Sequence, residues 1–225
     1  MRIDPAGWPF VVSGAVVAAL VAFVFGTLPG LLALVLPAFF LFFFRDPERV
    51  HDAPASAVIS PADGRVMVAG PPSGARVPAG VYQQISIFLS PLDVHVNRIP
   101  VGGRVITAAY HPGRFLPAYK AESGDVNEHT EISIDHNGQM VVVRQIVGIL
   151  ARRIVCRVAA GDAVAAGDRF GVMKFGSRMD VFLPAGATIL AKVGDTVVGG
   201  VTVIATLDAP DDAAGGARRE SDDAS

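Results

Sequence analysis

The 225-residue chain has little cysteine and little charge. Cys156 is its single cysteine, which excludes an internal disulfide framework and any cysteine-based zinc cluster. Charged residues make up 18%, and 19 Lys plus Arg against 21 Asp plus Glu give a formal net charge of −2. A near-neutral balance without a basic stripe argues against nucleic acid as a partner. No spacing of His, Asp or Glu has the pattern of a metal site. Heptad repeats and long amphipathic helical periodicities are missing as well.

Apolar residues are what the chain has in excess: 51% are hydrophobic and the mean hydropathy is +0.46. The excess is local, because residues 8–44 contain no charged side chain. A membrane helix needs about 20 apolar residues, and Gly26-Thr27-Leu28-Pro29-Gly30 breaks the run near its middle. The halves, 10–25 and 31–44, are each short for a full span. Two readings follow: a tight helical hairpin that enters and leaves on one side, or one kinked span. Arg2 before the run and Arg45 and Arg49 after it favour the hairpin, with both flanks on the cytoplasmic side of the cell membrane. The cluster Phe39, Phe40, Phe42, Phe43 and Phe44 is expected at the interface. A secretory signal peptide fits poorly, since the run is too long and its basic start too weak. At the other end, residues 208–225 are rich in Ala, Gly and Asp and read as a solvated, disordered acidic tail.

Between these lies a β-rich body, residues 45–207, with Val- and Ile-rich runs bounded by Gly, Pro and Asp turns. Strands are expected at 57–60, 65–69, 83–89, 104–110, 130–135, 139–150, 153–157, 169–175, 178–183, 188–193 and 201–207. Residues 111–128 form a long segment with little periodicity, of the kind that is often functional. There are internal echoes. Residues 161–167 (GDAVAAG) match 194–200 (GDTVVGG), and 61–66 (PADGRV) match 100–105 (PVGGRV). The Gly-Asp-x-Val-x-x-Gly pattern resembles the turns of biotinyl and lipoyl carrier domains, so a β-sandwich or half-barrel is expected behind the helical membrane segment.

Residues 175–180 (FGSRMD) lie between two expected strands, where Gly176 suits a tight hairpin turn. The order of motifs carries more than that turn does. An apolar N-terminus is followed by Pro61-Ala62-Asp63-Gly64, then by residues 90–100 (SPLDVHVNRIP). Tyr110-His111-Pro112-Gly113-Arg114-Phe115, Asn127-Glu128-His129-Thr130 and finally Gly176-Ser177 come next. This series resembles the short, bacterial-type phosphatidylserine decarboxylase proenzymes over nearly the whole chain before the tail. The resemblance implies a membrane-associated, pyruvoyl-dependent enzyme that converts phosphatidylserine to phosphatidylethanolamine and CO₂.

It also implies self-cleavage. Ser177 attacks the carbonyl of Gly176, giving a β chain of residues 1–176 and an α chain from 177, whose first residue becomes a covalent pyruvoyl group. The substrate amine forms a Schiff base with that group, the electron sink that other decarboxylases obtain from a bound organic cofactor. By the same resemblance His95 and Asp63 supply acid–base chemistry. Longer members have a second histidine where this chain has Arg98, which argues against a relay through a histidine there. Arg98, His111 and Arg114 are candidates to bind the anionic headgroup. The partners implied are a phospholipid in the membrane and the two chains of one proenzyme, with a homo-oligomer compatible. A rival reading is a membrane-anchored carrier or adaptor, in which Lys174 of Met173-Lys174 is biotinylated.

Overall fold

The computed structural model describes residues 2–72, 74, 76–80, 82–149, 153–174 and 176–208. The acidic tail beyond Asp208, and Phe175 of the Gly-Ser motif, lie outside the described residues.

The apolar run folds as a helical hairpin. A two-residue strand β1 (Arg2–Ile3) leads into α1 (Trp8–Phe25). Gly26, at φ +94°, turns the chain into α2 (Thr27–Ala33) and α3 (Val35–Phe43), and β2 (Arg45–Asp46) follows. Small residues let the two arms approach: Gly14 faces Pro37 and Gly30 faces Ala22. β2 pairs antiparallel with β1, and the Asp4 amide donates to the Phe44 carbonyl at 2.9 Å. Both ends of the hairpin therefore meet on one side, as the flanking arginines suggested. The helix from Pro5 to Phe25 is long and apolar enough to cross a membrane. Its tip is bare, with Phe23 89% and Phe25 70% exposed.

The five phenylalanines at the hairpin root divide. Phe39 and Phe42 are exposed, but Phe43 and Phe44 are fully buried against Val94, Val96 and Val172. The expectation that all five sit at an interface is corrected accordingly: two of the rings form the joint between hairpin and body.

The body is built from two similar halves. One begins with β3 (Ala57–Ile59), β4 (Gly64–Gly70) and β5 (Tyr82–Leu89). The other is continuous: β6 (Val96–Arg98), β7 (Gly103–His111), a short helix α4 (Ser123–Val126), β8 (His129–His136), β9 (Gln139–Val147), β10 (Ile154–Cys156), β11 (Ala163–Val164) and β12 (Arg169–Met173). The first half then resumes with β13 (Ser177–Pro184), β14 (Thr188–Ile189), β15 (Thr196–Val197) and β16 (Val203–Thr206).

The strands assemble into an open eight-stranded sheet, β11-β7-β8-β9-β13-β5-β4-β15, and two three-stranded sheets, β10-β12-β6 and β14-β16-β3. When the halves are exchanged the eight-stranded order maps onto itself and the two three-stranded sheets map onto each other. The sequence echoes are the pivots of this symmetry. The Val66 amide donates to the Asp195 carbonyl as Val105 does to Asp162, both at 2.9 Å. Gly64 and Gly103 both have positive φ, and a methyl at either would overlap a neighbouring strand's carbonyl. The core lies between the large sheet and the two small ones, with Ile85, Ile87, Ile134, Val143, Met179 and Val181 facing Val58, Ile99, Phe170 and Ile204.

Candidate active site

The chain passes from the continuous half back into the first half in the short link between β12 and β13, which contains Gly176. Gly176 has φ +75°, a left-handed conformation that strains any residue with a side chain. Ser177 opens β13, paired with Leu89 on one side and Val147 on the other. Alternation along β13 sends Ser177, Met179, Val181 and Leu183 inward. Ser177 is 0% exposed, and its Oγ is buried with no hydrogen-bond partner. An unpartnered buried hydroxyl costs about 1–3 kcal/mol, so the position disfavours a serine with a purely structural role.

His95 reaches this link from the start of β6. Its carbonyl accepts from the Met173 amide at 3.3 Å, which extends the β6–β12 ladder to the edge of the turn. Its Nδ1 lies 2.9 Å from the Asp93 carbonyl. A carbonyl only accepts, so Nδ1 carries the proton and Nε2 presents its lone pair. That lone pair accepts from the Gly176 amide at 3.3 Å. Burial pushes the imidazole down to about 4, against the raising effects of the Asp93 carbonyl bond and the Asp93 and Asp63 charges. The ring is thus a neutral base at pH 7, touching the amide nitrogen of the residue before Ser177. The Phe43 ring covers it, with centroids 4.2 Å apart.

Gly148 stands where a methyl would overlap the Gly176 carbonyl oxygen. Ala118, from the segment between β7 and β8, packs beside it. That segment is pinned by Asn127, whose side-chain amide grips both backbone groups of Leu116 and the Val147 carbonyl at 2.8–2.9 Å. It also closes over the outward face of β13. There Arg178 is buried, donating to Asp180 at 2.6 Å and to Ser86 at 3.0 Å. Gln84 donates to the same Ser86 and Asp180.

The remaining sequence candidates lie elsewhere. Asp63 does not contact His95. Its carboxylate is held by Arg49 at 2.5 and 2.8 Å and by the Gly199 amide at 2.8 Å, so it reaches the imidazole only through its field. Arg98 is buried and committed to the Gly167 and Pro47 carbonyls and to Asp46. It borders a cleft of about 610 Å³ with Arg49, His51 and Arg169, next to the hairpin root. His111 stacks on His129 at 4.6 Å, on the outer face of the large sheet beside Glu131 and Arg144. The Arg114 side chain is exposed. Lys174 rests over the Phe10 ring at 4.7 Å. Among the described residues no group of His, Cys, Asp or Glu could hold a metal ion. Sequence reasoning did not anticipate Phe43, Gly148, Asn127 or the Arg178–Asp180 pair. Asn127, Arg178 and Asp180 fell within quoted motifs without being given a role, and Phe43 was expected at the membrane interface instead.

The fold and site together define a β-sandwich with an apolar hairpin and a buried serine–imidazole junction at a strand start. Comparison with known proteins narrows that class. The family model described as phosphatidylserine decarboxylase matches residues 36–205. A phosphatidylserine decarboxylase proenzyme of Symbiobacterium thermophilum is 45% identical over 202 residues, 89% of this chain and 94% of the relative. Proteins of the same name from Granulibacter bethesdensis and Mycobacterium tuberculosis are 42% and 43% identical, each over 90% of this chain and over 84% and 89% of their own lengths. The chain belongs to the phosphatidylserine decarboxylase family.

Proposed function

We propose that the chain is a proenzyme that cuts itself between Gly176 and Ser177 and then decarboxylates phosphatidylserine to phosphatidylethanolamine. The observation that carries this reading is the buried, unpartnered Ser177 Oγ beside a left-handed glycine and a neutral His95. In the first step the Oγ–C bond to the Gly176 carbonyl carbon forms and the C–N bond breaks, giving an ester. His95 Nε2 exchanges the Gly176 amide for the hydroxyl, accepts its proton and returns it to the freed nitrogen. Elimination at residue 177 then releases Gly176 as a carboxylate, and hydrolytic loss of the nitrogen as ammonia leaves a pyruvoyl carbonyl at the new amino end.

That carbonyl supplies the electron sink for loss of CO₂ from an amino acid. The residues around it fit such a group: Leu89, Val147 and Met179 keep the strand start dry, and His95 supports a proton transfer at the position Ser177 now occupies. Asp63 acts on His95 at a distance, through its field. The hairpin inserts from the cytoplasmic side, with its bare tip in lipid and its root at the body. α1 is about 27 Å long at 1.5 Å per residue, close to the roughly 30 Å hydrocarbon core. In this reading the junction works beside a lipid headgroup, and the cleft bordered by Arg49, Arg98 and Arg169 is a candidate to receive its anionic groups.

Intact mass spectrometry of purified protein tests the reading. The expected result is two chains, the smaller beginning with pyruvoyl, together with release of CO₂ from phosphatidylserine. Ser177→Ala is expected to remain one chain without activity. An active enzyme that stays whole would refute the reading.

A further inference from the structure

We infer that the foot of the apolar hairpin is a wall of the self-cleavage site, and that Phe43 is a positioning residue for His95. The inference rests on the self-cleavage reading above and deepens it. Four observations carry it. The Phe43 ring is 0% exposed and lies 4.2 Å, centroid to centroid, from the imidazole at a 33° tilt. It belongs to the cluster that joins the hairpin to Val94 and Val96, the residues flanking His95 in sequence. The hairpin end that bears it is tied down by the β1–β2 ribbon and by the Asp4–Arg157 ion pair at 2.7 Å. Finally, the imidazole makes two polar contacts, one at each nitrogen, and neither covers its face.

Phe43 therefore does two things. It fixes the plane in which Nε2 meets the Gly176 amide, and it excludes water from the ring. The charges acting on the imidazole are Asp93 on its own segment, Asp63 on the loop before β4 and Arg45 just beyond the hairpin. None of these sits on α3, so Phe43 acts by desolvation and packing. Desolvation is the largest influence on His95 and holds the ring neutral. Opening that face moves its titration up toward the ordinary imidazole range. Because a base must be unprotonated, self-cleavage would then fail at a higher pH than in the native chain.

The test follows self-cleavage of newly synthesised full-length chain in detergent across a pH series. Phe43→Ala is expected to slow cleavage about tenfold or more and to shift its acid limb upward. Phe43→Leu, which refills the space with apolar atoms, is expected to recover most of the rate and the native limb. If Phe43→Ala does not fold, Phe43→Val carries the same comparison. Native rate and native limb in the truncated variant overturn the inference. So does an equal slowing in Phe43→Ala and Phe43→Leu with the limb unmoved, which would make Phe43 a general packing residue. A wild-type chain that never cleaves overturns the self-cleavage reading itself. A cleaving wild type beside an indifferent Phe43→Ala overturns only the present inference.

Discussion

At the scale of the residue, the proposed scissile bond is held between a glycine that precedes it and a glycine that faces it. Gly176 supplies a left-handed turn with open space around its Cα, and Gly148 supplies an absence of side chain against the Gly176 carbonyl. The two fail differently. A side chain at 176 strains the backbone, whereas a methyl at 148 pushes on the carbonyl that the Ser177 hydroxyl must reach. Gly148→Ala is expected to slow maturation about 10²-fold, the usual cost of misplacing a reacting group by about 1 Å. Hydroxylamine, which cuts an ester, should fail to cleave the variant, because the block precedes ester formation. Prompt cleavage by hydroxylamine would place the block later and count against this. The adjacent Arg178–Asp180 pair has a structural consequence instead. Asp180→Ala leaves a buried guanidinium without its carboxylate, at a cost of about 3–5 kcal/mol. Chemical denaturation of the Ser177→Ala background measures this without interference from cleavage.

At the scale of the element, the hairpin has two ends with separate tasks. Its tip is bare apolar surface and its root is interior. Replacing Phe23 and Phe25 by serine removes about 2 kcal/mol of membrane affinity per ring. Vesicle flotation is therefore expected to show protein shifting into the unbound fraction while its circular dichroism stays unchanged. The run itself was legible in the sequence, because an uncharged stretch with a Gly-Pro-Gly break leaves few alternatives. Which phenylalanines turn inward was not, because the composition of Phe39–Phe44 is uniform and only the docked β6–β12 sheet distinguishes them. Strands such as β13 were legible by alternation. β6 was missed because Val96-Asn97-Arg98 carries polar side chains that are buried. β1, β2, β11 and β15 are too short to display a period. The Gly-Asp echoes were visible, but only pairing across the sheet showed that they mark two halves of one symmetric body. For the site, the fold brings His95 to the Gly176 amide, next to Ser177. Asp63 came no nearer than its field, since its carboxylate is held by Arg49 and the Gly199 amide, which no quoted motif joined to it.

At the scale of the whole molecule, the symmetry explains where the chain can be cut. In the continuous half β8 and β9 are joined by a tight turn at Asn137 and Gly138, both with positive φ. In the other half the equivalent pair is β5 and β13, and the entire continuous half is inserted between them. Gly176–Ser177 is the seam where that insertion ends. Breaking it, and losing the nitrogen of residue 177, costs at most the first rung of the ladder, since β13 pairs with β5 from Ser177 to Pro184 and with β9 from Ser177 to Phe182. Its residues are buried from Ser177 to Leu183. The two chains are therefore expected to remain one particle after cleavage. Native mass spectrometry in detergent should give a single mass equal to their sum, and only denaturant should separate them. Cleavage does change the unfolding equilibrium, because the unfolded state becomes two molecules instead of one. The urea midpoint of processed protein should rise with protein concentration, while that of uncut Ser177→Ala should not. A midpoint independent of concentration in the processed form would mean that the two chains stay joined through the transition, contrary to the expectation that denaturant separates them.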